Sequence, residues 1–228
     1  MRKRLTWSTS SLIPCSSAII ALVLSGIGLF HASFVCAFDG RHSRDPEVSF
    51  DQLRSQLGLP VVKKVVRGKR IQVDSSAILP QVSVDKLLER SLDFDRYVQM
   101  GMPHLRESVI VGRSESESMI YVWSHMVLSA MGIPMSSKHY LRVHQLPTGS
   151  EWELVPKRPS WTKEESSAMN TLDGSWYVES LGNNEAYVRY WLALEPDVSP
   201  SLVDVVVGGQ LQRGVSKVIQ VLAREAAL

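Results

Sequence analysis

Apolar and polar residues alternate along several segments of the chain in the pattern of half-buried strands. The first such segment, RIQVDSSAIL, begins after Lys69 and ends at Pro80. Six more follow Pro103, in the order LRESVIVGR, SMIYVWSHMVL, KHYLRVHQL, SEWELVP, GSWYVESLG and EAYVRYWLALEP. Alternation with a period of two, bounded by turn residues, is typical of strands that bury one face. The connections are short and include the hairpin signal at residues 182–184, so we predict one antiparallel sheet of about seven strands.

Two other regions show helical spacing. After Pro80, Ser83 is a suitable N-cap, and the apolar residues behind it predict two short helices that meet near residues 91–93. After Pro200, a long C-terminal segment repeats apolar residues on one side, at Leu211, Val215, Val218, Ile219 and Leu222. The order of one strand, two short helices, six strands and a long helix predicts an α+β fold.

Gly208 and Gly209 stand side by side within this predicted long helix. Two interior glycines cost a helix roughly 2 kcal/mol relative to alanine, so a local reason is needed. Without Cβ atoms they would let the helix backbone approach the sheet or a ligand, and would soften the helix at one point. The alternative is that they fit tight packing against a bulky strand residue such as Trp191. The sequence leaves both explanations open.

The first 37 residues have the pattern of a secretory signal. Arg2, Lys3 and Arg4 precede an uncharged stretch at residues 18–30, and Val35-Cys36-Ala37 is a suitable cleavage site. An uncleaved membrane anchor is the alternative, because residues 18–37 would suffice to cross a bilayer. In either case we expect the remaining chain to be secreted or periplasmic, and tethered to the membrane if the segment is not cut.

We therefore divide the chain into a leader at residues 1–37, a polar linker at 38–61 with a short helix opening at Ser49, and one domain at 62–228. Both cysteines, Cys15 and Cys36, lie in the leader. Its cleavage would exclude thiol catalysis and cysteine-ligated zinc. Removing its three basic residues lowers the formal charge from +2 to −1. Without an excess of basic residues to bind phosphates, we predict no nucleic-acid partner.

The usual signatures of catalysis are missing from the sequence. It contains no G-x-S-x-G nucleophile motif, and its serines cluster in turns. His139 and His144 are five residues apart on one predicted strand, so they would point to opposite faces and could not share a metal ion. We therefore predict no catalytic residue, no metal site and no cofactor.

Three sequence segments resemble those of the START-like superfamily, which includes lipid-transfer domains, coenzyme Q-binding proteins and polyketide cyclases. They are LDFDRYVQMGMPHLRESVIVGR, GIPMSSKHYLRV and GSWYVESLGNNEAYVRYWLALEPD, and they occur in the order and spacing of that family across about residues 65–226. Lys138-His139 departs from it, since the family often has Arg-Asp there. The resemblance implies the helix-grip fold, in which a curved antiparallel sheet wraps round the C-terminal helix. It also implies an internal cavity for a hydrophobic molecule.

Alternation along the strands then suggests which side chains line such a cavity. Tyr190 and its neighbours at every second position would face inward while Arg189 faces solvent, and Trp176 and Val178 would likewise oppose Glu179. The alternation in the middle strands is ambiguous. The candidate ligand-binding residues are Trp123, Tyr140, Trp176, Val178, Val188, Tyr190, Leu192, Val206 and Gln210.

The leading hypothesis is a non-enzymatic protein that encloses a lipid, sterol, quinone or similar molecule. A membrane surface is left open as a further partner, and no protein partner is indicated. One alternative is a cyclase-like or hydrolytic enzyme in which Tyr190, Arg142 or His125 directs proton transfer in the same cavity. Another is an interaction module whose open groove takes a partner peptide.

Overall fold

The computed structural model describes residues 42–114, 117–130, 133–166, 168–197, 203 and 208–228. The predicted leader and residues 38–41 lie outside these ranges. So does Val206, one of the candidate ligand-binding residues. No helix within the described ranges is long and apolar enough to span a membrane.

The described residues form one antiparallel sheet of eight strands. The strands are β1 (Val61–Arg67), β2 (Arg70–Pro80), β3 (Leu105–Ser114), β4 (Met119–Ala130), β5 (Ile133–Leu146), β6 (Gly149–Val155), β7 (Met169–Gly182) and β8 (Glu185–Pro196). Their order across the sheet is β1-β2-β8-β7-β6-β5-β4-β3. The first two strands therefore join the sheet through β8, whereas the last six strands pair in chain order.

Strand β1 is the element that the prediction of about seven strands omitted. Its sequence VVKKVVR places valines in adjacent pairs, so it does not alternate with a period of two. It is nevertheless an edge strand that forms a hairpin with β2, closed by Gly68 and Lys69 between the paired Arg67 and Arg70. Gly68 has a φ of +61°, which suits glycine in such a tight turn.

The helices between β2 and β3 begin where the sequence predicts. Helix α2 (Val84–Leu92) is capped by the Ser83 side chain, which accepts a hydrogen bond from the Lys86 amide at 3.3 Å. The second predicted helix is shorter than a regular helix, because it consists of a 3₁₀ turn (Phe94–Arg96) and one helical turn, α3 (Tyr97–Met100). Gly101, with a φ of +84°, ends α3 and directs the chain towards β3.

The C-terminal helix α4 (Gly209–Glu225) places its predicted apolar side in the domain core. It packs against α2 and the inner face of β2 and β8.

A Cβ atom at Gly209 would meet no atom within 4 Å, so tight packing against a strand residue does not explain that glycine. The close approach occurs at Gly214 instead, where a Cβ atom would lie 2.6 Å from His104 Nε2.

The residues before β1 pack on the outer face of the sheet, opposite α4. Helix α1 (Phe50–Ser55) begins after the N-cap Ser49, as predicted. Leu53 and Val48 bury themselves against Ile78 and Tyr187, and the Asp45 amide donates a hydrogen bond to the Tyr187 hydroxyl at 2.9 Å. The described part of the predicted linker is thus attached to the domain by a small apolar cluster.

A buried ion pair lies beneath this N-terminal segment. Arg189 donates hydrogen bonds to both carboxylate oxygens of Asp74 at 2.6–3.2 Å, and also to the Ser43 carbonyl at 2.9 Å. Arg189 is only 6% exposed, so the expectation that it faces solvent is wrong. Alternation correctly assigned it to the outer face, but could not reveal that residues 42–48 cover that face.

Candidate ligand cavity

The interior of the domain contains a cavity between the inner face of the sheet, the α2–β3 region and α4. Its volume is about 80 Å³. A single water needs roughly 10–15 Å³ of such space, whereas pockets for drug-sized ligands measure about 300–1,000 Å³. The cavity therefore has room for a short apolar group, and a larger ligand would require its walls to move apart.

The cavity wall is mainly apolar, and no lining residue in the described part of the chain carries a charge. The lining consists of Phe94, Tyr97, Met102, Pro103, Leu105, Ser108, Val122, Ser124, Met126, Leu141, Trp152, Leu172, Trp176, Tyr190, Leu192 and Val218. Only hydroxyl and indole groups offer hydrogen bonds there. Such a surface favours an uncharged, mainly hydrocarbon ligand, because an unpaired ion would lose its hydration without compensation.

Three aromatic rings from β6, β7 and β8 form one wall. The ring centroids of Trp176 and Tyr190 are 4.4 Å apart, and those of Trp152 and Tyr190 are 5.7 Å apart. Gly174, the register partner of Trp152, makes room for its indole, because a Cβ atom there would lie 2.2 Å from the Trp152 ring. The small residue on β7 therefore allows the large residue on β6 to lie flat at the cavity.

The two lining tyrosines differ in their hydrogen bonding. The Tyr97 hydroxyl donates to the Ser91 carbonyl at 2.6 Å and accepts a hydrogen bond from the Trp176 side chain. The Tyr190 hydroxyl has no hydrogen-bond partner among the described residues, and its ring keeps some accessible surface because it faces the cavity. Burial raises the pKa of both phenols, so both are neutral donors at physiological pH.

Among the candidate residues from the sequence, Trp176, Tyr190 and Leu192 line the cavity. Val178 and Val188 lie in the same apolar core but do not border the cavity. Gln210 lies in the first turn of α4 and does not border it either.

Trp123 and Tyr140 are on the opposite face of the sheet, which corrects their assignment to the cavity. With Tyr121 and Trp161 they form a separate outer cluster, in which the Tyr140 and Trp161 rings stack at 4.3 Å. Trp161 comes from the β6–β7 connection, which covers this face. The outer face is therefore buried around Tyr121, Trp123 and Tyr140, so hydrophobicity alone could not identify the inner face there.

Several lining residues were not among the candidates. Met102 and Leu105 come from the chain that enters β3, while Val122 and Leu141 are register partners on β4 and β5. The alternation on β4 would have identified Val122 if the outer burial of Trp123 had been known. Val218 belongs to the predicted apolar side of α4, so the helical spacing predicts its inward orientation.

The described residues contain no group of three or more His, Cys, Asp or Glu side chains placed to hold a metal ion. Of the groups considered for proton transfer, only Tyr190 borders the cavity. His125 and Arg142 lie on the outer face, where His125 hydrogen-bonds with Ser136 at 2.9 Å and Arg142 pairs with Glu153.

Comparison with solved structures identifies the architecture. Human STARD10 superposes with a TM-score of 0.54 at 12% identity, covering 83% of each chain. The Zhui aromatase/cyclase from Streptomyces sp. R1128 gives 0.53 at 12% identity, covering 68% of this chain and 93% of that one. The STAR-related lipid transfer protein from Xanthomonas axonopodis superposes with a TM-score of 0.51 at 13% identity, covering 80% of this chain and 97% of that one.

The described part of the chain therefore has the START-like helix-grip fold, which confirms at the level of fold the resemblance seen in the sequence. No protein-family model and no curated protein sequence matches the chain. The structures with this fold include an aromatase/cyclase and a STAR-related lipid transfer protein, so the fold alone does not separate a carrier from an enzyme.

Proposed function

We propose that this protein binds one hydrophobic small molecule in its internal cavity, as a non-enzymatic carrier or receptor outside the cytoplasmic membrane. The observation that carries the proposal is a mainly apolar cavity, bordered by Trp176, Tyr190 and Trp152, in a START-like fold. Burying apolar ligand surface contributes about 25 cal/mol per Å², which can hold a lipid, sterol or quinone without any ionic contact.

The protonation of the lining groups favours a carrier over an enzyme. General acid–base catalysis needs two groups that exchange protons near neutral pH and converge on the substrate. The titratable lining groups in the described ranges are the phenols of Tyr97 and Tyr190, and burial moves the pKa of both further from neutrality. His125 and Arg142, the other groups that the enzymatic alternative requires, are separated from the cavity by the sheet.

The proposed location depends on the N-terminal sequence. The basic start, the uncharged stretch and the small residues before position 38 favour export, with or without retention of an anchor. A carrier in that compartment would act between membranes or at a membrane surface. Its ligand would be a molecule with low aqueous solubility, for which enclosure replaces contact with water.

The test is native mass spectrometry of the protein purified from its own host, combined with uptake of lipids, sterols and quinones by the emptied protein. We expect a bound hydrophobic molecule in the wild type. Val122→Phe, which fills the cavity, should lower uptake at least tenfold. His125→Phe lies on the same strand but on the outer face, and should leave uptake unchanged.

Circular dichroism should first show that both variants fold, because an overpacked core loses about 1–3 kcal/mol of stability. A wild-type protein that remains empty and takes up none of these compounds would refute the proposal. Equal uptake by the wild type and Val122→Phe would place the binding site elsewhere.

A further inference from the structure

A row of polar residues crosses the inner face of β3, β4 and β5. Ser108 on β3 is the register partner of Ser124 on β4, which in turn is the partner of His139 on β5. Side chains opposite each other on neighbouring strands have Cβ atoms about 4.5–5.5 Å apart. The three side chains are therefore neighbours on the inner face.

The two serines border the cavity directly. Ser108 and Ser124 are 5% and 3% exposed, and both are part of the cavity wall. Neither hydroxyl has a hydrogen-bond partner among the described residues. Each hydroxyl can donate one hydrogen bond and accept another, so both can bind a polar atom of a molecule in the cavity. A ligand atom that hydrogen-bonds with them would satisfy both.

His139 stands behind the serines and is almost completely buried, with 2% of its surface exposed. Its Nδ1 atom hydrogen-bonds with the Ser137 hydroxyl at 3.0 Å, which fixes the orientation of the ring. Its Nε2 atom is buried and has no partner. Burial lowers the pKa of His139 to about 4, so the ring is uncharged at physiological pH.

These groups restrict the chemistry of the ligand. Hydroxyls and a neutral imidazole both donate and accept hydrogen bonds, so they match a hydroxyl or carbonyl oxygen. They carry no charge to balance a carboxylate or phosphate, and no lysine or arginine borders the cavity within the described ranges. The aromatic wall of Trp152, Trp176 and Tyr190 provides the complementary surface for the apolar part of the same molecule.

We propose that Ser108 and Ser124 form a subsite for the neutral, oxygen-bearing end of an otherwise apolar ligand, with His139 as a positioning residue beside Ser124. This inference rests on the proposed function, because it requires a ligand in the cavity. It narrows the ligand class to uncharged amphiphiles that carry an alcohol, ketone or ester group.

The experiment compares three short unbranched probes of similar length that differ at one end: 1-hexanol, heptane and hexanoate. Their dissociation constants are measured by ligand-observed NMR with the emptied protein at pH 7. We expect the wild type to bind 1-hexanol and heptane, and hexanoate at least tenfold more weakly than 1-hexanol. Tightest binding of hexanoate would overturn the assignment of an uncharged ligand.

The double variant Ser108→Ala/Ser124→Ala tests the subsite itself. We expect it to weaken the binding of 1-hexanol about tenfold. Heptane should bind as well as before or better, since the alanines keep the cavity apolar. Ser160→Ala, in the exposed β6–β7 connection, is the matched control and should change neither constant. If the double variant changed the dissociation constants of 1-hexanol and heptane equally, the serines would affect binding only by supporting the shape of the cavity. That result would overturn the subsite.

His139 is tested through its effect on this preference for the alcohol. His139→Leu should reduce the ratio of 1-hexanol to heptane affinity about threefold or more, and His139→Gln should restore part of it. In a double-mutant cycle, His139→Leu should have little further effect once Ser124 is alanine. Additive effects would remove His139 from the subsite.

The outcomes separate this inference from the function on which it depends. A wild type that binds heptane but discriminates against 1-hexanol would retain the proposed cavity and lose the polar subsite. A wild type that binds neither heptane nor 1-hexanol, nor any larger hydrophobe, would overturn both.

Discussion

Arg189→Met is expected to lower the free energy of unfolding by about 3–5 kcal/mol, because it leaves the Asp74 carboxylate buried without its counter-ion. Asp74 is 7% exposed and receives three hydrogen bonds from Arg189. Burial raises the pKa of the Asp74 carboxyl, and the hydrogen bonds from Arg189 oppose that shift. Urea denaturation at pH 7 measures the loss.

The matched control is the double variant Asp74→Leu/Arg189→Met, which removes both charges. Replacing a buried ion pair by apolar residues is often nearly neutral, so the double variant should regain most of the stability that the single variant loses. Independent, additive losses from the two substitutions would show that the pair is not coupled, and would contradict this account of the outer face.

The second large effect is a loss of stability in acid that His139 causes. Its pKa is about 4 in the folded protein, against about 6.5 in the unfolded chain, because burial penalises the imidazolium. The unfolded state therefore takes up the proton first as the pH falls. The stabilisation is complete above pH 6.5 and is lost between pH 6.5 and 4, by about 3 kcal/mol in total.

The measurement compares urea denaturation of the wild type and His139→Gln at pH 7 and pH 4.5. The variant cannot be protonated at this position, so its stability should fall less over the interval. Burial also lowers the pKa of His42 and His104, but these residues are present in both proteins and cancel in the comparison. The same pH dependence in both proteins would show that His139 is not a buried neutral group.

The sequence predicted the orientation of an element well where its two sides differ in polarity. The period of α4 identified its inward residues because its other side is polar, and on β8 the charged Arg189 marked the outer face although that face is also buried. The same method failed on β1, whose valines stand in adjacent pairs and do not alternate, and around Trp123 on β4 and Tyr140 on β5, where Trp161 packs on the outer face. Where both faces carry apolar or aromatic residues, the contrast on which alternation depends is lost.

The candidate site was only partly predictable for a related reason. Trp176, Tyr190 and Leu192 follow from alternation within one strand pair, whereas the serine row depends on the register of three strands. Register cannot be obtained from the composition of any single strand. Likewise, Arg189 was assigned to the correct face, but its burial depends on residues 42–48, which are distant from it in sequence.

Isotope-filtered NOE spectroscopy of the protein with its bound hydrophobic ligand tests the central claim most directly. The account predicts cross-peaks from the ligand to Trp176, Tyr190 and Leu192, which border the cavity, and none to Trp123 or Tyr140 on the outer face. Cross-peaks confined to the outer aromatic cluster would contradict an internal binding site. So would a ligand that gives no cross-peak to any cavity residue.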